Sequence, residues 1–401
     1  MGLPRIAAMI VLCCTSLVSC GSCGREPVAG DQTKADVSLR QVEVPSDPHT
    51  RELKARLDSY LAGEVEKLGI PGLTVSVVRD GSVVYTGAFG VRKLGDRSKL
   101  TPRHVFHFAS VSKTFAATAI MQLVEDGKVN LDDRITKTLP YFRLADARST
   151  EITIRQILNH TSGMPDVVDY QWDHPQFDEG AAERYVRSMA SERLLWEPGS
   201  AWRYSNMAFD ALADVIAKAS GRSFEAYVRS KILEPLGMVD SSFIYPEIAT
   251  ALRTTGHVGK VARVSNVYPY NRRHAPSSTL NSNVIDMTSW MLANLNRGEL
   301  NGRQILRATS YDLLWAPTTK AAGNAYVGLS WFIRDHAGHR TVYHAGGDTG
   351  FRAYVLLAPD DGIGIALASN WEETPRETLV EKTLDMLLAS DGRRPRIEAA
   401  R

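Results

Sequence analysis

A serine and a lysine three residues apart are the residues of this chain whose types and spacing most directly suggest chemistry. Ser110 and Lys113 stand in the stretch Ser-Val-Ser-Lys, and an apolar-periodic run over residues 116–125 follows, ended by Gly127. If this stretch is a helix, Ser110 lies at its first turn and Lys113 one turn later on the same face. We therefore predict that a hydroxyl and an amine meet there.

A lysine amine beside a serine hydroxyl can turn the serine into a nucleophile. A serine hydroxyl is a poor nucleophile until a base takes its proton, and burial lowers the pKa of a lysine toward that task. The N-terminus of the helix adds N–H groups and a positive partial charge where an oxyanion would form. The alternative interpretation is an N-capping serine with a lysine on a solvated face. No other Ser-x-x-Lys occurs in the chain.

A tyrosine and an asparagine form the second candidate group. Tyr204 and Asn206 follow the turn at residues 197–200 and precede a helical pattern, so their side chains can project into a cleft. A buried tyrosine near a lysine can share or relay a proton, and an asparagine amide can both accept and donate. The alternative is a core tyrosine and a helix-capping asparagine.

A histidine followed by glycines forms the third group. His344 ends a strand pattern and precedes Gly346 and Gly347, which permit close approach of the backbone to a ligand. His-x-Gly also occurs at His257 and His336, which we expect to be solvated loop residues. The sequence context therefore favours His344 over His257 and His336 as the histidine of the site.

Length and composition indicate a globular protein. The 401 residues are 44% hydrophobic and 23% charged with a net charge of +2, which suits one large domain or two interleaved ones. The net charge gives no strongly basic field, and lysines and arginines do not alternate with aromatic residues in any run. The sequence therefore gives no sign of nucleic-acid binding. We expect a small-molecule or short-peptide substrate, and the sequence does not indicate an oligomeric state.

The first residues indicate export. Arg5 precedes an apolar run over residues 6–17, which is too short to span a bilayer and has the length of a signal peptide. Leu-Val-Ser-Cys at residues 17–20 resembles a bacterial lipoprotein cleavage box. We expect a signal peptide over residues 1–19, lipid on Cys20 and a polar tether over residues 20–50, giving a periplasmic or cell-surface lipoprotein. The alternative is a plain secretory signal or a membrane-anchored tail.

All four cysteines lie within the first 23 residues, so the rest of the chain has no disulfide and no Cys-type zinc site. His104, His107 and His160 form no metal-binding spacing with carboxylates. We expect neither a metal nor a cofactor.

The pattern along the chain predicts an α+β fold. Residues 51–68 have the spacing of an amphipathic helix, and strand patterns at 73–78 and 82–89 flank an Asp-Gly turn. A mostly helical region follows, and four further strand patterns and a closing helix come last, at residues 328–333, 341–344, 351–358, 363–369 and 378–388.

Strands at both ends imply one sheet with an insertion. We predict a domain over residues 51–390, with an antiparallel sheet flanked by helices, built from 51–109 and 325–390, and an all-helical insertion at 110–324. The cleft lies between the two parts. A loose tail is expected at 391–401.

Four motifs in this order, Ser-Val-Ser-Lys-Thr, Leu-Asn-His-Thr-Ser-Gly-Met at residues 158–164, Tyr-Ser-Asn and His-Ala-Gly, resemble the serine β-lactamase and penicillin-binding protein superfamily. The resemblance is to the branch with class C β-lactamases, D-alanyl-D-alanine carboxypeptidases, D-aminopeptidases and β-lactamase-like esterases, and it covers about residues 51–388. It implies an acyl-enzyme mechanism, with these roles by matching position: Ser110 as nucleophile, Lys113 as its activator, Tyr204 as general base or proton relay, Asn206 as a substrate-orienting residue, His344 at the substrate's carboxylate end or in proton transfer, and the N–H groups of Ser110 and Gly347 as the oxyanion hole.

Two departures from the family pattern shape the expected substrate. His-Ala-Gly replaces Lys-Thr-Gly, and Tyr-x-Asn replaces the Ser-Asp-Asn of class A enzymes. A neutral histidine gives less fixed charge than lysine, which favours ester, amide or D-amino-acid substrates over β-lactams. No Gly-x-Ser-x-Gly elbow indicates an α/β-hydrolase. The alternative function is a catalytically idle penicillin- or peptidoglycan-binding lipoprotein.

Overall fold

The computed structural model describes residues 47–390. The helices are α1 Pro48–Leu68, α2 Ser112–Glu125, α3 Ile135–Thr138, α4 Ile154–Leu158, α5 Ala181–Ser188, α6 Asn206–Ser220, α7 Phe224–Val228, α8 Ala275–Ser278, α9 Val284–Leu295, α10 Ser310–Leu314 and α11 Arg376–Ser390. The strands are β1 Gly72–Arg79, β2 Ser82–Gly90, β3 Phe106–His107, β4 His257–Val258, β5 Arg263–Val264, β6 Asn281–Ser282, β7 Glu299–Leu300, β8 Arg303–Gln304, β9 Thr319–Lys320, β10 Tyr326–Val327, β11 Phe332–His336, β12 His339–Asp348, β13 Phe351–Ala358 and β14 Ile363–Ser369.

The expected N-terminal and C-terminal segments fall mostly outside the described residues. The signal peptide, the lipid site at Cys20 and the tail at 391–401 lie there and stay predictions. The predicted tether ends too late, because α1 already begins at Pro48. The Asp47 carboxylate caps this helix by accepting from the N–H groups of His49 at 3.0 Å and Thr50 at 3.1 Å.

One antiparallel sheet of eight strands, in the order β2-β1-β14-β13-β12-β11-β10-β9, forms the centre of the fold. The predicted N-terminal hairpin is present, and its turn residues Asp80 and Gly81 have φ values of 46° and 80°, as a type I′ turn requires. The C-terminal strand β14 pairs with β1, with Leu73 opposite Ser369 and Arg79 opposite Ile363. The first and the last strands of the described region thus build the same sheet, as predicted.

Helices cover both faces of this sheet. Leu53, Leu57 and Leu61 of α1 and the apolar side of α11 pack on one face. On the other face lie Met287, Trp290 and Met291 of α9, and the Trp290 ring stacks on Phe115 of α2 with centroids 3.8 Å apart. The predicted α+β class is confirmed. None of the helices in residues 47–390 is both long and apolar enough to cross a bilayer.

Two details of the sheet and the insertion differ from the prediction. The strand Thr319–Lys320 extends the sheet before residue 325, and short strand pairs interrupt the helical region. The predicted strand at 328–333 is broken, because the Gly328 N–H donates to the Trp331 carbonyl and Ser330 has a φ of 74°. The apolar pattern there marks burial of Leu329 and Trp331 in a turn.

A close backbone approach joins the sheet to the start of α2. A Cβ at Gly346 of β12 would lie 2.1 Å from the carbonyl oxygen of Phe108, two residues before Ser110. Only glycine fits, because the obstructing atom belongs to the backbone. The pairing of β11 with β12 runs from His339 to Tyr343 and ends there. Beyond Tyr343, no strand within residues 47–390 pairs with β12 on that side.

We predict that Gly346→Ala lowers the free energy of unfolding by about 2–4 kcal/mol, because the added methyl group must displace backbone. Urea unfolding checks this value. The matched control is Gly63→Ala in α1, where a Cβ meets nothing within 4 Å, and we expect it to stabilise by about 0.5–1 kcal/mol. Equal effects at the two glycines would contradict the close approach.

Candidate active site

Ser110 lies in a tight turn, Ala109–Val111, that leads directly into α2. Ala109 has a φ of 47°, a left-handed conformation that costs energy for a residue with a side chain. The second serine of the motif secures the turn, because the Ser112 hydroxyl donates to the Ala109 carbonyl at 2.6 Å and accepts from the Leu280 N–H at 2.8 Å. The Ser110 side chain stays partly exposed to the cleft.

The Lys113 side chain is fully buried because α2 is enclosed almost all round. Its Nζ lies 3.2 Å from Ser110 Oγ, 2.6 Å from Asn206 Oδ1 and 2.7 Å from the Ser277 carbonyl oxygen. These three acceptors match the three hydrogens of an ammonium group. A neutral amine at the same place keeps a lone pair that can accept the serine proton.

Burial lowers the pKa of Lys113 to about 7, because an ammonium group loses its hydration there. Three nearby carboxylates oppose this lowering of the pKa. Asp210 has the largest effect, followed by Asp348 and then Asp166. Lys113 therefore exists in both protonation states near neutral pH.

The Asp166 carboxylate fixes the orientation of the Asn206 amide. Asp166 Oδ1 accepts from the Asn206 backbone N–H at 2.7 Å and from Nδ2 at 3.1 Å. With Nδ2 committed to a carboxylate, the amide oxygen must face Lys113. Asp166 thus both caps the start of α6 and decides which amide atom meets the lysine.

His160 holds the segment around Tyr204. The Ser205 N–H donates to His160 Nδ1 at 3.2 Å and the Arg203 N–H donates to the His160 carbonyl at 2.9 Å, while the two rings stack with centroids 4.3 Å apart. Lys113 Nζ lies 4.9 Å from the centre of the Tyr204 ring. Burial raises the pKa of Tyr204, and the interaction with the Ser110 hydroxyl opposes the rise.

His344 is buried and neutral. Burial, and to a lesser extent the nearby Lys113 charge, lowers the pKa of His344 to about 3. Its Nδ1–H donates to the Ala345 carbonyl at 2.8 Å, so Nε2 carries the lone pair. Nε2 has no hydrogen-bond partner among the described residues. His344 therefore offers an acceptor, whereas binding a carboxylate requires a donor or a positive charge.

A cavity of about 470 Å³ opens over Ser110. It is lined by the side chains or backbone of Ser110, Asp166, Tyr170, Tyr204, Asn206, Phe332, Tyr343, His344, Ala345, Gly347, Asp348, Arg352 and Arg376. The inferred catalytic and substrate-binding residues therefore lie together around this cavity, with Lys113 buried directly beside Ser110. Among residues 47–390, no group of three or more His, Cys, Asp or Glu side chains is arranged to hold a metal ion.

The two histidines expected in solvated loops are not there, so that prediction is wrong. His257 is fully buried, with Nδ1–H donating to the Asn370 carbonyl at 2.7 Å and Nε2 accepting from the Leu94 N–H at 3.0 Å. His336 ends β11 and its Nε2 lies 2.8 Å from an Asp385 carboxylate oxygen. The His257 ring thus satisfies backbone groups that packing has removed from water, whereas His336 pairs with a carboxylate that stays half-exposed.

Sequence reasoning missed four residues of the site: Asp166, Arg352 and Arg376 line the cavity, and His160 lies behind Tyr204, on which its ring stacks. Asp166 follows the Leu-Asn-His-Thr-Ser-Gly-Met motif, and His160 lies inside it without an assigned role. Arg352 and Arg376 come from β13 and the first residue of α11, and no local pattern connects them. Only the fold brings these arginines beside Gly347, where a Cβ would lie 3.1 Å from Arg376 Nη1 and 3.3 Å from Arg352 Nη1.

Known proteins resemble this chain over most of its length. The chain is 26% identical to Protein flp of Staphylococcus aureus (strain COL) over 335 residues, which cover 83% of this chain and 66% of that protein. It is also 26% identical to the human Putative beta-lactamase-like 1 over 358 residues, covering 85% of this chain and 69% of that protein. The chain thus spans about two thirds of the length of these relatives.

A solved structure resembles the fold as well. The octameric penicillin-binding protein homologue from Pyrococcus abyssi superposes with a TM-score of 0.73 at 26% identity, over 86% of this chain and 78% of that one. The family model described as Beta-lactamase matches residues 57–390, which contain every site residue discussed above. This chain belongs to the β-lactamase family.

Proposed function

We propose that this protein is a serine hydrolase that forms an acyl-enzyme on Ser110 and cleaves a small ester or amide bearing a carboxylate. The observation that carries the proposal is the buried Lys113 amine, 3.2 Å from the Ser110 hydroxyl and with its pKa lowered to about 7. A base with this pKa is half deprotonated where it must act. Membership in a family of mostly hydrolytic proteins supports the same conclusion.

The proposed acylation starts with neutral Lys113 taking the Ser110 proton as Oγ attacks the substrate carbonyl carbon. The resulting oxyanion is held by the N–H groups of Ser110 and Gly347. The bond to the leaving group then breaks, and the Tyr204 hydroxyl gives this group a proton. Protonated Lys113 returns a proton to Tyr204. Water then attacks the acyl-enzyme along the same route and releases the acid and free Ser110.

The directions of the two pKa shifts support different proton-transfer roles for Lys113 and Tyr204. Because burial raises the pKa of Tyr204, its phenol keeps its proton near neutral pH and is a poor base. Lys113, with a pKa of about 7, has the lone pair. We therefore propose Lys113 as the base and Tyr204 as the proton relay, rather than Tyr204 as the first base.

Two arginines in the cavity favour a substrate that carries a carboxylate. Arg352 and Arg376 line the cavity half-buried. Among the described residues neither has a carboxylate oxygen within ion-pair distance, although the charges of Glu372, Asp348 and Glu373 act on Arg352 from further away. Burial lowers the pKa of Arg376, and the neighbouring Arg352 charge adds to this effect. A bound carboxylate would relieve both costs. Neutral His344 cannot supply this charge, so we propose that the arginines do.

We predict that Ser110→Ala reduces turnover of a short-chain p-nitrophenyl ester at least about 1,000-fold, because no other hydroxyl replaces the nucleophile. Steady-state kinetics measures this loss, and an unchanged melting curve shows that the fold is intact. Ser200→Ala, in an exposed turn, serves as the control. Retained turnover in Ser110→Ala would contradict the mechanism. Stoichiometric acylation of the wild type without turnover would instead favour the catalytically idle binding protein.

We predict that the stability cost of Lys113 disappears as the pH rises. The pKa is about 7 in the folded protein and 10.5 ordinarily, so between these values the unfolded chain binds the extra proton. Folding of the wild type is therefore favoured by rising pH in this window, at up to about 1.4 kcal/mol per pH unit. Below pH 7, the free energy of unfolding of Lys113→Met should exceed that of the wild type by the largest margin.

Urea unfolding of wild type and Lys113→Met between pH 6 and 10.5 measures this margin. Lys128→Met, at an exposed position, is the control and should show no such trend. A difference between wild type and Lys113→Met that stays constant across this range would contradict the lowered pKa.

We predict that Arg376→Met reduces kcat/KM about 10-fold to 100-fold for an ester whose leaving group carries a carboxylate, the loss typical of a charged hydrogen bond. The matched methyl amide of that substrate should change less than about threefold. Arg56→Met, on the exposed side of α1, is the control for loss of charge alone. Equal losses with both substrates would remove the arginine from carboxylate recognition.

A further inference from the structure

A buried acidic–basic pair lies behind the lysine. Asp210 is on α6, one turn after Asn206, and His274 directly precedes α8. Both side chains have no exposed surface, and His274 Nδ1 lies 2.6 Å from Asp210 Oδ2. Their other polar atoms, Asp210 Oδ1 and His274 Nε2, have no hydrogen-bond partner within 3.5 Å among the described residues. Burying such a pair costs desolvation energy, so packing alone does not explain why these two residues lie in the core.

Ser277 links this pair to Lys113. The Ser277 hydroxyl donates to the His274 carbonyl at 3.3 Å, and its interaction with Asp210 lowers the pKa of that carboxyl against the larger raising effect of burial. The Ser277 carbonyl oxygen accepts from Lys113 Nζ at 2.7 Å. The pair therefore holds the short helix that supplies one of the three acceptors of the lysine.

Asp210 also supplies charge. Several titratable side chains surround Lys113 among the described residues. They are Asp210 on α6, Asp348 and His344 on β12, Asp166 and His160 in and after the segment that follows α4, and Tyr204, whose ring centre lies 4.9 Å from Nζ. Asp166 is committed to Asn206, and Asp348 to Ser278 and His107. Asp210 opposes the effect of burial on Lys113 more strongly than the other two carboxylates.

The same histidine contacts the cavity wall. The ring of Tyr170, which lines the cavity, meets His274 edge-on with centroids 5.0 Å apart, and Trp172 stacks on Tyr170 at 4.7 Å. Tyr185 of α5 packs on another side of the imidazole with centroids 4.9 Å apart. These rings pack against the His274 imidazole and restrict its rotation away from Asp210.

We propose that Asp210 and His274 are a buried positioning pair, which keeps the Ser277 carbonyl on Lys113 and a negative charge beside its amine. This inference rests on the proposed function, in which Lys113 is the base. Without the pair, the amine loses a proton more readily and becomes a weaker base. The pair thus places the working range of the lysine near neutral pH.

The test is the pH dependence of kcat/KM for a p-nitrophenyl ester, whose acid limb reports the pKa of the base in the free enzyme. We expect Asp210→Asn, which removes the charge and keeps the shape, to move this limb about one pH unit lower. His274→Leu, which leaves Asp210 without its donor and so favours its neutral form, should move the limb in the same direction. His274→Asn places an amide N–H where Nδ1 was and should restore the wild-type limb.

The matched control is Asp214→Asn. Asp214 lies one turn further along α6, is also buried and accepts from the Tyr141 hydroxyl at 2.5 Å, but it is not among the charges that act on Lys113. Its variant should keep the wild-type acid limb. Lower rates with an unmoved limb in Asp210→Asn and His274→Leu would overturn the proposal and leave the pair a purely structural role. If Asp210→Asn does not fold, the comparison of His274→Leu with His274→Asn decides alone.

A measurement without catalysis separates this inference from the proposed function. In an Asp210→Asn background, the stability difference between Lys113 and Lys113→Met should begin to change at lower pH than in the wild type. A wild-type protein without esterase activity would defeat the proposed function and leave this measurement intact. An onset at the same pH in both backgrounds would defeat the inference, even in an active enzyme.

Discussion

The burial of one amine is the constraint on which the rest of the site depends. Lys113 has no exposed surface, so every hydrogen it carries must find an acceptor inside the protein. The three acceptors come from three separate elements: the turn before α2, the start of α6 and the short helix α8. The protonation state of the lysine is therefore a property of how these helices pack, and a shift of any one of them changes the chemistry at Ser110.

The sheet positions the other half of the site. Strand β12 reaches the nucleophile turn because Gly346 has no side chain to obstruct the Phe108 carbonyl. The same strand carries His344 and Gly347, and beyond Tyr343 one of its edges has no strand neighbour in the described part of the chain. The strain at Ala109 is thus held between the sheet on one side and α2 on the other. Both parts of the fold are needed to place the serine hydroxyl.

Local features of the site could be predicted, because they depend on neighbours in sequence. The proximity of Ser110 and Lys113 follows from one helical turn, and the hairpin follows from Asp80-Gly81 between two strand patterns. The convergence of Tyr204 and His344 on Ser110 came from resemblance alone, since no spacing encodes a contact across more than ninety residues. Arg376 was missed for that reason. His257 was misjudged because a tripeptide carries no information on burial. The start of α1 was misjudged because the polar tether was extended to residue 50, whereas Asp47 caps a helix that begins at Pro48.

The central claim is that a neutral lysine activates Ser110, and the pH dependence of acylation tests it most directly. Rapid-quench mass spectrometry with a slowly deacylating ester gives the acylation rate constant and the modified residue in the same samples. The account predicts an adduct on Ser110 whose formation rate rises about tenfold per pH unit below the pKa of Lys113, near 7, and levels off above it. A rate that does not change between pH 5 and 8, or an adduct on another residue, would contradict it.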